Sequence, residues 1–292
     1  MQKIKDIMKE NKGKLAYRTC FSSISYYGFK LDILKSGLQK YLRRKNLDKM
    51  LWCLGEIYLF KVYSENIQEQ RAVKGIITNL LNRIIVMLDE ELLFSEWDKY
   101  LSINKLIDDF EKSERTNFCC LVSICKILCS ARLLRRNSDI NAYFNYGMRR
   151  DIEPPKVLKE LKDGEDIDEW RLKNFKAYFR SEQVDERRNC FYWMYDIYLN
   201  KREGETKRFK RKENIYMVWE HLYKVAFGNS LLKKCLDYRI KEFYNKNKKE
   251  RGIFLTAAID LCLEKDNINW DSKLLERNPV SDESDIIKIF AN

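Results

Sequence analysis

Glycine, proline and histidine are scarce in this chain, whose 292 residues include ten Gly, three Pro and a single His, His221. Each shortage closes off some chemistry. A metal site built on two or more histidines is excluded. Neither G-x-x-x-x-G-K-[ST] nor G-x-G-x-x-G occurs, which argues against a nucleotide-driven motor and a dinucleotide enzyme. Long hydrophobic runs are also missing. Ile84 to Leu88 and Phe118 to Cys129 are the most apolar stretches, both short of a bilayer span, and the second contains Lys126. The opening MQKIKDIMKENKGK has no uninterrupted apolar region and no small-residue cleavage site, so it is not expected to act as a signal peptide. The expectation is a soluble protein.

Positive charge is plentiful. The chain has 56 Lys or Arg against 44 Asp or Glu, a formal +12, with 45% apolar residues, enough to build one or two cores. The charge is uneven: residues 1–150 carry +10 and residues 151–292 carry +2. Such a field favours polyanionic partners. Nine cysteines (Cys20, Cys53, Cys119, Cys120, Cys125, Cys129, Cys190, Cys235 and Cys262) are an odd set that points to reduced thiols in a cytoplasm or nucleus. The C-C-x4-C-x3-C cluster has no neighbouring His to complete a tetrahedral shell, so it reads as core. No metal and no cofactor are expected.

Helical periodicity dominates. Leu31, Leu34, Leu38, Tyr41 and Leu42 line one face, and Arg44-Lys45-Asn46 breaks the pattern. A second helix over 47–62 is expected to direct Leu51, Leu54 and Tyr58 inward, and Trp52 with them. Further helices are predicted over about 70–93, 103–111 and 117–134, and the fold class is all-α. Pro154-Pro155 and the charged run through Lys162 to Asp166 mark a boundary. Beyond it the pattern restarts. Leu38 to Arg43 aligns with Phe175 to Arg180, Glu56 to Leu59 with Asp196 to Leu199, Ile77-x-x-Leu80 with Trp219-x-x-Leu222, and Leu128-Cys129 with Leu261-Cys262. The chain therefore divides into a basic N-terminal segment (1–30), a first helical repeat (31–150), a linker (151–170), a second repeat (171–270) and a tail (271–292).

Four basic clusters are the candidate nucleic-acid contacts: Arg43-Arg44-Lys45; Arg132, Arg135 and Arg136; Arg149-Arg150; and Lys207, Arg208, Lys210 and Arg211, which flank Phe209. Cations at turns and helix ends reach phosphates, and an interleaved aromatic can stack on a base. The run Cys190-Phe-Tyr-Trp-Met-Tyr195 reads as core at helical spacing. Catalytic groupings are weak. Asp89-Glu90-Glu91 and Glu160-Leu-Lys162 lack the additional Asp on an adjacent strand that a Mg²⁺ nuclease needs, so no catalytic residue is assigned.

The stretch Ser36-G-L-Q-Lys40-Y-L-Arg43-R-K-Asn46-L-Asp48-K-M-Leu51-Trp52-C-Leu54 resembles the segment that opens the helical C-terminal region of the MgsA/RarA group of AAA+ ATPases. Leu88-Asp89-Glu90 is similar to that family's next motif, and Ser138 to Phe144 to the one after. The resemblance covers residues 31–146. It implies a clamp-loader-like helical collar, a class of domain that oligomerises and works around replication forks. The family's ATPase module and P-loop are absent, so ATP hydrolysis is not carried over. The first segment also looks like helical proteins of large cytoplasmic DNA viruses. The expectation is a non-enzymatic nucleic-acid-binding protein of replication or repair, with DNA preferred to RNA, and a second copy or a replication protein as a further partner. The alternative is a structural scaffold, viral in setting, assembling through aromatic helix faces.

Overall fold

The computed structural model describes residues 24–64, 66–148, 152–200, 204–211, 213–245 and 251–282, with Ser284, Asp285 and Ile289. Among them stand twelve α-helices and no strand, so the protein is all-α. No helix of the described residues is long and apolar enough to cross a membrane. Two compact units divide the chain, one formed by Met1–Leu133 with Asp271–Asn292, the other by Leu134–Trp270.

The first unit contains α1 (Leu31–Arg43), α2 (Leu47–Tyr63), α3 (Ile67–Glu91), α4 (Trp97–Lys112) and α5 (Phe118–Ser130). In α1 the i, i+4 stripe Leu34, Leu38 and Leu42 is buried, each leucine contributing about 1.5–3 kcal/mol relative to exposure. Helix α2 buries residues around most of its circumference, including Met50, Leu54, Ile57, Tyr58 and Phe60, and is central in its unit. Trp52 faces outward against Phe29, and Leu51 is only half-buried, because Cys53 and Met50 take the inward positions. Gly37 lets α1 approach α2 closely: a Cβ there would stand 2.9 Å from Cys53 Sγ.

The α1–α2 turn is built without glycine. Lys45 takes the left-handed conformation (φ 54°), its N–H bonding Leu42 O (2.9 Å) while the Asn46 N–H bonds Tyr41 O (3.0 Å). This is a Schellman ending. The Asn46 side chain then caps α2 by accepting from the Lys49 N–H at 3.0 Å.

The second unit contains α6 (Arg136–Gly147), α7 (Ile167–Phe179), α8 (Val184–Arg187), α9 (Cys190–Tyr198), α10 (Tyr216–Val225), α11 (Ser230–Tyr244) and α12 (Gly252–Leu263). Its centre is α12, buried from Gly252 to Cys262. A Cβ at Gly252 would meet Asn141 Oδ1 at 2.6 Å and the Tyr195 hydroxyl at 2.8 Å, so the missing side chain is what lets α12 pack here. Every residue of α9 is buried, including the run Cys190 to Tyr195. Trp193 meets Trp170 edge to face, and Tyr195 stacks on Phe144.

The division differs from the one expected. Helix α6, assigned by sequence to the first repeat, packs in the second unit, where Arg136 pairs with Asp260 at 2.8 Å and Asn141 accepts from the Tyr195 hydroxyl at 2.5 Å. Residues 271–292, expected as a tail, belong to the first unit. There Asn278 Nδ2 donates to Ser102 Oγ (2.8 Å), the Ser281 N–H to Ser123 Oγ (2.8 Å), and Lys126 pairs with Asp285 at 2.6 Å. Most of the 1–30 segment lies outside the described residues.

Candidate nucleic-acid interface

Two buried carboxylates organise the cations around the α1–α2 turn. Glu91, fully buried at the end of α3, accepts from Arg43 Nε at 2.8 Å and Nη2 at 2.5 Å, and from Gln39 Nε2 at 2.6 Å. Gln39 Nε2 also donates to Glu90 Oε2 at 2.7 Å, and Gln39 Oε1 accepts from Arg83 at 3.3 Å. Glu96, just before α4, accepts from Arg132 Nε at 2.6 Å and from Lys99 Nζ, while Arg132 Nη2 donates to Ser95 Oγ at 2.9 Å. Burial pushes the Glu96 carboxyl up, but the hydrogen bonds from Lys99 and Arg132 outweigh it and hold it below its ordinary value. Lys45 Nζ donates to the Ala131 carbonyl, close to Cys129, Glu96 and Lys99, and burial lowers its pKa.

The first unit thus brings Arg43, Lys45 and Arg132 together, from two sequence clusters, and adds Lys99. Arg44 and Lys40 are exposed on the same turn with no side-chain partner among the described residues, and Lys49 lies over the Tyr41 ring at 5.7 Å. Cations outnumber the two carboxylates that hold them. Arg132 keeps 70% of its side chain exposed while gripping Glu96, so its outer guanidinium edge stays available.

The remaining predicted residues fall elsewhere. Arg135 and Arg136 are in the second unit. Arg135 is exposed without a side-chain partner among the described residues, whereas Arg136 is taken up by Asp260 and by Glu264 at 3.7 Å. Arg149 and Arg150 lie outside the described residues. In the loop before α10, Arg208 Nη1 binds Asp196 Oδ1 at 2.5 Å, and Arg211 binds Asn200 at 3.2 Å and Glu205. Arg171 completes the net, bonding Asp196 at 2.6 Å and Asp168 at 2.7 Å. Lys207 and Lys210 are exposed, and Phe209 is exposed beneath the Arg211 guanidinium, 5.6 Å from the ring centre.

Other groupings from the sequence are accounted for by local contacts. Glu90 and Glu91 serve Gln39 and Arg43, and no set of three or more His, Cys, Asp and Glu is arranged to hold a metal among the described residues. Cys120 and Cys125 are buried, and Cys129 Sγ contacts Met50 Sδ at 3.6 Å. A groove of about 560 Å³ beside Lys61, Lys74, Glu111 and Arg115 pairs part of its charge internally. There Arg115 clasps Glu111 at 2.9 and 2.8 Å, and Lys61 donates to Glu114 O at 3.0 Å.

Sequence reasoning missed Lys99, Glu96 and Gln39. The i, i+3 spacing of Glu96 and Lys99 was a usable signal. The approach of Arg132 to Glu96, 36 residues away, was not. Compared with family models, curated proteins and solved structures, the chain matches none.

Proposed function

We propose that this chain is a non-enzymatic helical protein that binds nucleic acid through the cationic surface at the α1–α2 turn of its first unit. One observation carries the reading: Arg43, Lys45, Lys99 and Arg132 gather over Glu91 and Glu96, beside Arg44 and Lys40, which have no counter-charge among the described residues. Buried Glu96 orients Arg132 while 70% of that side chain stays exposed, an arrangement suited to phosphate oxygens. No base-reading role is assigned. The motif that resembles the MgsA/RarA collar, residues 36–54, is this same helical hairpin, which supports DNA of replication or repair as the partner. The two-repeat relation belongs to the same proposal. It is supported by shared burial at Leu38 and Phe175, Leu42 and Phe179, Glu56 and Asp196, and Leu128 and Leu261.

The test is the salt dependence of oligonucleotide binding, read by fluorescence anisotropy between about 50 and about 200 mM salt. Removing one phosphate-binding cation flattens the log–log slope by about 0.9 on duplex, so the doubly reversed K40E/R44E chain should lower the slope by about two. A slope equal to the parent's removes this surface from the interface.

A further inference from the structure

The second unit carries an aromatic groove beside three cations that make no ion pair among the described residues. Between α10 and α11, Tyr216, Trp219, Tyr223, Phe227, Ile240 and Tyr244 line a groove of about 580 Å³, within the size range of small-ligand sites. Phe227 is 93% exposed and Tyr216 52% exposed. Trp219 is buried at its floor, and its indole N–H has no acceptor among the described residues. On the rim, Glu220 and Lys224 sit one helical turn apart.

Helix α7 brings two more cations near Lys224, beyond the groove's own lining. His221 of α10 lies edge to face against Phe175 and Phe179, with centroids 5.8 and 5.2 Å away. This contact places Lys176 and Arg180 near Lys224. The proximity is electrostatically visible: burial, then Lys224 and Arg180, lowers the Lys176 pKa, with Glu220 acting the other way. Burial first, and then the same three cations, pushes His221 down to about 4, so it is neutral at pH 7. Lys176, Arg180 and Lys224 make no ion pair within the described residues, and Glu220 is the single carboxylate acting on Lys176.

We propose that this groove binds the bases of single-stranded nucleic acid, stacking them on Tyr216, Phe227 and Tyr244 while Lys176, Arg180 and Lys224 hold the phosphates. The inference rests on the nucleic-acid reading above for its class of partner, and it adds the strand type and a second site. Every base offers a π face, whereas the bases of a duplex are already stacked on one another. An apolar protein helix would cover the rings but leave three cations facing it. A second copy docked through the same face would set two such trios against each other, a repulsive arrangement.

The experiment compares labelled oligo-dT of about 20 nucleotides with a hairpin duplex of equal charge, using the full chain and anisotropy. Phe227→Ala should weaken oligo-dT binding about tenfold and leave duplex binding within about twofold. Phe227 is solvated, so truncating it does not open the core. Lys224→Glu should flatten the oligo-dT salt slope by more than the duplex slope. Oligo-dT binding by Phe227→Ala equal to the parent's overturns the groove proposal and leaves the α1–α2 surface standing. Equal losses on both ligands overturn it too. If light scattering shows the parent as an oligomer that Phe227→Ala dissociates, with oligo-dT binding unchanged, the occupant is a second copy and the proposal fails. A parent chain that binds neither ligand overturns both readings at once.

Discussion

Arg43-Arg44-Lys45 and Lys207 to Arg211 look equivalent in sequence, but the two units treat them differently. In the first unit two buried carboxylates hold Arg43, Lys99 and Arg132, while Arg44, Lys40 and Lys49 stand outside the network. In the second, Asp168, Asp196 and Glu205 absorb Arg171, Arg208 and Arg211, and Asn200 and Asn214 fill further acceptor sites on Asp168. One segment leaves cations at the surface, and the other uses its arginines to fasten a loop to α7 and α9. A count of positive residues measures neither outcome. What decides is how many carboxylates the fold buries within reach.

The largest effect that separates the two regions is the removal of Asp196. Asp196→Ala leaves Arg171 and Arg208, 11% and 14% exposed, without their shared acceptor, and should destabilise the protein by about 3–5 kcal/mol in urea denaturation. Glu91→Gln, in the first unit, should cost only about 1–2 kcal/mol, because Arg43 is 34% exposed and can turn to water. Equal costs would mean that the first network is as structural as the second, and its claim to a binding role would weaken.

The same contrast shows what was legible in the sequence. Helices α1 and α2 were, because Leu34, Leu38 and Leu42 repeat at i+4 and Arg44-Lys45-Asn46 interrupts them. The burial of Cys190 to Tyr195 was too, since an aromatic run has few other places to go. The division into units was not. It depends on Arg136 finding Asp260 and Ser281 finding Ser123, contacts spanning more than a hundred residues, and no local pattern encodes them. The candidate site is half legible: Arg43, Arg44, Lys45 and Arg132 stand out as basic clusters, but their carboxylate partners and the trio Lys176, Arg180 and Lys224 are assembled only by packing.

Acidity probes the second unit from both sides. His221 has a folded pKa of about 4, depressed chiefly by burial, below its unfolded value of about 6.5. Its contribution is therefore present above about 6.5 and lost as pH falls toward 4, about 3 kcal/mol in all. Asp260 has the opposite sign. Burial raises it from 3.8 to about 6, so its contribution is present below 3.8 and lost as pH rises through about 6. The two oppose each other between about pH 4 and 6. His221→Gln should turn the stability slope in that window downward with rising pH, and Asp260→Asn should steepen it upward. A window unaltered by either change would place both groups in ordinary solvation. In the first unit Glu96, held below its ordinary value, adds stability above the unfolded glutamate pKa that is lost as pH falls through the folded one.

The smallest effect is the most discriminating, and it turns on the scarcity of glycine. Lys45 occupies a left-handed position (φ 54°) that ends α1, where glycine is the usual residue, and Gly228 fills a left-handed position (φ 83°) after α10 in the second unit. Lys45→Gly relieves a backbone strain of about 1–2 kcal/mol, partly offset by the greater freedom of glycine in the unfolded chain. It also deletes the ammonium bonded to Ala131 O. If that ammonium serves phosphate, the variant should be unchanged or up to about 1 kcal/mol more stable while its salt slope flattens by about one phosphate's worth. Stability and binding would then move in opposite directions, which no purely structural lysine produces. A variant that loses stability and keeps its slope would instead make Lys45 an anchor for the end of α5, leaving Arg44, Lys40 and Arg132 to carry the surface alone.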